Sequence, residues 1–138
     1  MDAQKFKELY REKYKCQKTW TLGLLFWAVM DIPDNEEIIT ISGFYGLQQG
    51  YSDYKTSAGV ITVTNKNFYY FTSDLPVIPF PYRSGCVPLQ HIESVEINGS
   101  FTKCLTIRIA NIPYNFHLID HALTLRNAIM ESKEKLKA

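Results

Sequence analysis

The side chains best suited to chemistry in this 138-residue sequence are three histidines, three cysteines and two aromatic-rich stretches. His117 and His121 stand four residues apart, the spacing at which two imidazoles on one helix face can hold zinc. A strand-to-helix boundary is expected between them, and no Glu follows His117 as a zinc-protease motif requires, so no metal site is expected. Cys16, Cys86 and Cys104 form no Cys-x-x-Cys pair, and with His91 they show no zinc-ligand spacing. They read as buried, inert thiols, and an odd, scattered set argues against a disulfide framework and for a reducing, cytoplasmic setting. A Cys–His nucleophile would need an orienting group and an oxyanion site. Nothing in the spacing points to either. Neither a dinucleotide fingerprint nor a phosphate loop occurs, so the expectation is a protein without catalytic residues or cofactor.

Two segments carry the recognition chemistry. Gly46–Ser57, which follows Tyr45, sets Tyr51 and Tyr54 among Gly, Gln and Ser, a composition typical of adaptable contact surfaces. Leu75–Arg83 reads Leu-Pro-Val-Ile-Pro-Phe-Pro-Tyr-Arg, with three prolines spacing apolar and aromatic residues. Loops rarely carry such apolar density, so this one covers the body of the fold or meets a partner. Prolines lower the entropy of ordering a contact ridge, and Tyr and Arg are favoured at binding hot spots. The expected protein-binding residues are therefore Tyr51, Tyr54, Phe80, Tyr82 and Arg83. The competing expectation is that Phe80 and Tyr82 fold back and plug one end of the fold.

The elements that must position these segments follow from periodicity. Phe6, Leu9, Tyr10 and Tyr14 recur at helical spacing over residues 2–18. The apolar run Leu22–Met30 has nine residues, about 14 Å as a helix and half a bilayer core, so it is a buried segment rather than a membrane span. The first residues lack the basic-then-apolar order of a secretory signal. From Glu37 onward short β-type runs take over: 37–41, 60–64, 68–72, 86–89, 94–98, 105–109 and 112–118. Asn65-Lys66-Asn67 reads as a hairpin exploiting the left-handed tolerance of Asn. Asp120 is the expected N-cap of a closing helix, with Ala122, Leu125, Ile129 and Leu136 on one face. Hydrophobic residues make up 46% and charged residues 21%, which places the chain among ordinary globular domains. The net charge of +1 disfavours a nucleic-acid binder. Basic residues nevertheless gather at the ends, six against three acids in residues 1–20 and four against two in 126–138. They make a functional patch only if the ends meet in space.

The order of blocks Ile32-Pro-Asp-Asn-Glu-Glu-Ile-Ile39, Gly59-Val-Ile-Thr-Val-Thr-Asn-Lys66, Phe68-Tyr-Tyr-Phe71, Val87-Pro-Leu-Gln-His-Ile-Glu-Ser-Val95, Leu105-Thr-Ile107 and Phe116 resembles the bacterial pleckstrin-homology-like domains, relatives of the PH and GRAM superfold. The resemblance covers about residues 32–137. It rests on the order of the blocks, since none is specific alone. Asn67 departs from it, since relatives often have Arg there. The resemblance implies an α+β, mainly β fold: an antiparallel barrel of about seven strands with a C-terminal capping helix. An N-terminal helical extension over 1–31 would precede the domain at 32–138. It also implies a binding module. Phosphoinositide-binding relatives use several Lys/Arg after strand one, whereas 46–57 has Lys55 alone, offset by Asp53, so specific phosphoinositide recognition is not expected. The function expected is protein–protein interaction, including self-association through the N-terminal helices. A membrane-surface adaptor using the basic ends and a small inhibitor of a macromolecular target are the alternatives.

Overall fold

The computed structural model describes residues 3–13, 32–50, 55–73, 83–99 and 103–137. Seven strands form one antiparallel sheet: β1 (Ile38–Gln49), β2 (Lys55–Thr64), β3 (Asn67–Ser73), β4 (Arg83–Pro88), β5 (Ile92–Asn98), β6 (Cys104–Ile109) and β7 (Ile112–His117). Their order is β4-β3-β2-β1-β7-β6-β5, so the sheet is mainly built from hairpins. The long β1 joins its two halves. Residues Ile38–Leu47 pair with β2, and Leu47–Gln49 pair with β7. The register shifts between Tyr45 and Leu47, around Gly46 at φ 119°, a backbone state only glycine adopts freely. Pro88 ends β4, a short 3₁₀ turn over Leu89–His91 follows, and Ile92 opens β5. Leu89 and Ile92 are both buried, so the link from β4 to β5 is anchored on the core by its apolar side chains.

Side-chain alternation sends Phe44, Ile61, Val63, Phe68, Leu105, Ile107 and Phe116 into the inner core. Phe116 is its aromatic centre, 5.0 Å from Phe44 and 5.9 Å from both Phe68 and Tyr70 between ring centroids, all edge-on. Two glycines admit these rings. Gly59 pairs with Phe44 across β1–β2, and Gly85 pairs with Tyr70 across β3–β4. A Cβ at Gly59 would lie 2.2 Å from Phe44 Cζ, and one at Gly85 would lie 2.3 Å from Tyr70 Cε1. The closing helix, α2 (Ala122–Lys137), covers this core with Leu125 and Ile129, both fully buried. It also fastens the sheet edge at β5. Arg126 Nε donates to the Val95 carbonyl at 3.3 Å, and Lys133 Nζ donates to that of Ile92. Such cover on an edge strand blocks pairing with a foreign strand.

The opposite face of β1–β3 is buried too. The N-terminal helix α1 (Ala3–Glu8) runs on into a wider π-type turn over Leu9–Lys13. Its Phe6 and Tyr10 are 0% and 1% exposed and pack with Ile32, Ile41, Val60, Tyr69 and Phe71. A short helical segment is marginal alone, so this apolar face supplies the stability its length cannot.

Several expectations need correction. Tyr45, read as part of a loop, is a strand residue packed at the edge of the outer cluster, because β1 continues through its glycines to Gln49. The β2–β3 hairpin does not use left-handed Asn. Thr64 Oγ1 instead accepts the backbone N–H groups of Lys66 at 3.2 Å and Asn67 at 3.0 Å, an alternative local pairing that Thr can offer. The left-handed turn is at β6–β7, with Ala110 at φ 52° and Asn111 at φ 64°. The closing helix starts at Ala122, two residues after Asp120, and the His121 carbonyl accepts the Leu125 N–H at 3.0 Å. His117 is half-buried rather than outward-facing, and Cys86 is exposed rather than buried. Cys16, Tyr14, Trp20 and Trp27 lie outside the described residues.

Candidate functional site

Tyr51, Tyr54, Phe80 and Tyr82 lie outside the described residues. Arg83 is not a loop residue. It opens β4, with its Cα opposite Thr72. The points from which the two aromatic segments spring are nonetheless defined. The β1–β2 connection leaves from Gly50 and returns at Lys55, opposite Leu47. The β3–β4 connection leaves after Ser73, opposite Ala58, and returns at Arg83. Successive antiparallel connections alternate between sheet ends, so these two share one end of the β1–β4 half. Gly50, at φ 67°, donates its amide to the Pro113 carbonyl at 2.7 Å. That contact brings the start of the β1–β2 connection against the β6–β7 hairpin, where Ile112 is 42% exposed. Exposed apolar surface therefore adjoins the origin of the β1–β2 segment, at the sheet end that the β3–β4 segment shares.

The other end of the β1–β4 half holds a buried polar clasp that sequence reading missed. Glu36 is 8% exposed. Its Oε1 accepts the Thr64 hydroxyl at 2.6 Å and the Asn67 amide at 2.9 Å, and its Oε2 accepts the Tyr69 hydroxyl at 2.7 Å. Burial works to raise the carboxyl pKa, but the hydrogen bonds from Thr64, Tyr69 and Asn67, helped by the charge of Lys66, outweigh it and hold the pKa below the usual range. The Tyr69 phenol moves upward, first because it is desolvated and then because it donates to Glu36. Asn67 thus supplies a neutral donor where Arg is common in the resembling domains. Beside the clasp, Glu37 N–H donates to Asn65 Oδ1 at 3.0 Å and Asn65 N–H to the Glu37 carbonyl at 2.9 Å. The segment before β1 is thereby locked onto the β2–β3 hairpin. The only prior hint was the conjunction of a Glu-Glu pair with a Thr-Asn-Lys-Asn turn.

This clasp also answers where the basic ends go. Lys5 of α1 lies within electrostatic reach of Asp34, Lys66 acts on Glu36, and Lys135 of α2 lines a cleft together with Glu37. Lys137 is bridged to Glu134 at 3.2 Å. One cation of each end, Lys5 and Lys135, thus lies near the acidic segment 34–37.

Burial lowers the His117 pKa and raises that of Cys104. Among the described residues no three His, Cys, Asp or Glu side chains come together as metal ligands would. No described helix is long and apolar enough to cross a membrane.

No protein-family model matches the chain. No curated protein sequence matches it either. Solved structures do. The pleckstrin homology domain of USP37 superposes with a TM-score of 0.51 at 11% identity, over 68% of this chain and 97% of that one. The hSac2 domain from human phosphoinositide phosphatase Sac2 superposes with a TM-score of 0.55 at 11% identity, over 87% of this chain and 85% of that one. At such identity the likeness speaks to architecture alone, and with the strand order and the closing helix it establishes that this chain has a pleckstrin-homology-like fold.

Proposed function

We propose that the protein is a non-catalytic binding module that recognises another protein through the sheet end bearing Tyr51, Tyr54, Phe80, Tyr82 and Arg83. The observation that carries this reading is that the two aromatic segments spring from one sheet end, the first of them beside exposed Ile112. Aromatic side chains and Arg concentrated on one end make the kind of desolvating surface on which protein hot spots form. The inner core is filled by Phe44, Phe68, Phe116, Leu125 and Ile129, which leaves recognition to the surface. Compensation of Lys5 by Asp34 and of Lys66 by Glu36 weighs against a charge-driven membrane adaptor. The block order from Ile32 to Phe116 supports placing the chain beside the bacterial pleckstrin-homology-like domains in the cytoplasm, as part of the same proposal.

Affinity capture from the native host, run with the parent and with Tyr82→Ala and Arg83→Ala, tests this reading. The substitutions should weaken capture by about 1–4 kcal/mol each with thermal stability nearly unchanged. A sharply lowered melting temperature with capture by the remaining folded protein intact would assign these residues to the core. Co-sedimentation with anionic vesicles that weakens steeply with salt would favour the membrane instead.

A further inference from the structure

The groove that holds α1 is built by one part of the chain and filled by another. Its floor is Ile41 of β1, Val60 of β2, and Tyr69 and Phe71 of β3. Strand pairing fixes their places, with Ile41 opposite Thr62, Thr62 opposite Tyr69, and Val60 opposite Phe71. The strands are held by that ladder and by the inner core, and α1 takes no part in either. It has six residues before its π-type turn, too few for a stable helix by itself. Two rings one helical turn apart, Phe6 and Tyr10, seat it in the groove. Floor and plug are therefore separable parts.

The connection between the two parts is long for the distance it has to cover. Residues 14–31 join Lys13 to Ile32, and Ile32 packs in the same cluster as Phe6 and Tyr10, so both ends of the connection sit at one groove. Its contour length is nevertheless about 60 Å. That exceeds the roughly 40 Å breadth of a domain of this size, so α1 can reach the matching groove of a second copy. A second copy's α1 brings the same two rings to the same floor and the same Lys5 to the same Asp34, so exchange keeps every contact of the closed form. We propose that this groove is an interaction site between two copies of the chain, which associate by exchanging α1. Because the closed and exchanged forms share their contacts, the equilibrium is set by the effective concentration of α1 at its own groove, on the order of 1 mM for a tether of this kind. The site lies on the face of β1–β3 turned away from α2, apart from the aromatic sheet end, and it stands or falls independently of that end.

Two measurements on the full chain test this. In sedimentation equilibrium from about 0.02 to 2 mM, a range that brackets the expected constant, a dimer should grow in with a Kd on the order of 1 mM. Tyr82→Ala and Arg83→Ala should form it like the parent, and Phe6→Ala and Tyr10→Ala should not. The second measurement supplies α1 from outside, as a synthetic peptide of residues 2–18. At about 2 mM it should raise the melting temperature of Phe6→Ala and of Tyr10→Ala by roughly 3–10 °C, and that of the parent, whose groove is filled, by less than about 2 °C. Where a variant does not fold alone, folding on addition of the peptide is the same rescue. The proposal is overturned if the parent stays monomeric throughout, if its dimer is lost in Tyr82→Ala or Arg83→Ala, or if the dimer survives both Phe6→Ala and Tyr10→Ala. It is equally overturned if the peptide rescues neither groove variant, or if it stabilises the parent as much as it stabilises them.

Discussion

Replacing Glu36 gives the sharpest test of how the N-terminal segment is held to the sheet. Glu36→Ala removes three hydrogen bonds to an ionised, nearly buried group. Each such bond is worth about 1.5–3 kcal/mol, but the losses do not add fully, because two of the donors keep partial alternatives. Thr64 can still donate to the Asn67 carbonyl at 3.3 Å, and the Asn67 amide still reaches the Tyr69 oxygen at 3.3 Å. The Tyr69 hydroxyl, on a residue 6% exposed, loses its carboxylate acceptor and keeps only the weak sulfur of Cys86. The net cost should be about 2–4 kcal/mol, read as a melting temperature lower by roughly 6–20 °C in a domain this size. Glu36→Gln should cost less and should also change the acid limb. The folded carboxyl has the lower pKa, so its contribution is fully present above the ordinary carboxylate range and is lost as pH falls below that range through the folded value. The parent should therefore lose stability on acidification that the Gln variant no longer has to lose. Urea denaturation at neutral and acidic pH measures both effects. A melting temperature for Glu36→Ala within about 2 °C of the parent, or a Gln variant with the parent's full acid limb, would refute the reasoning, since clasp bonds of this strength must appear as several degrees.

Gly59→Ala should destabilise by about 1–3 kcal/mol, because the added methyl meets both the fixed Phe44 ring and, at 2.7 Å, the Phe71 carbonyl oxygen; a parent-like denaturation midpoint would show that the strands can separate there. Phe6→Ala empties the centre of the outer cluster and should cost about 3–5 kcal/mol, read as a lower urea midpoint. An unchanged midpoint would mean that α1 adds nothing to the cooperative fold.

What the sequence determined by itself is the set of local elements. The β-branched run Val60–Thr64, the alternation of Leu105, Ile107 and Ile109, and the Ala122–Leu125–Ile129 spacing each encode an element, because backbone geometry turns period into face. The aromatic-rich composition of 46–57 and 75–83 was visible in the sequence, and the sheet end those segments share came only from the order β4-β3-β2-β1. Other features depended on partners far along the chain. Gly46 opens a segment set apart from the β-type runs, yet β1 continues through it, since pairing with β2 and β7 supplies hydrogen bonds that outweigh its weak strand preference. The run Phe68–Phe71 read only as a strand, and the docking of Phe6 and Tyr10 against Tyr69 and Phe71 is what covers its second face. Nothing local distinguishes Glu36 from Glu37. One is sealed under Thr64, Asn67 and Tyr69 and the other lines an open cleft, because a single step along an extended backbone reverses which side of the chain a side chain takes. Whether a polar side chain is satisfied is a question of three-dimensional neighbours, and that is the part only the tertiary structure decided.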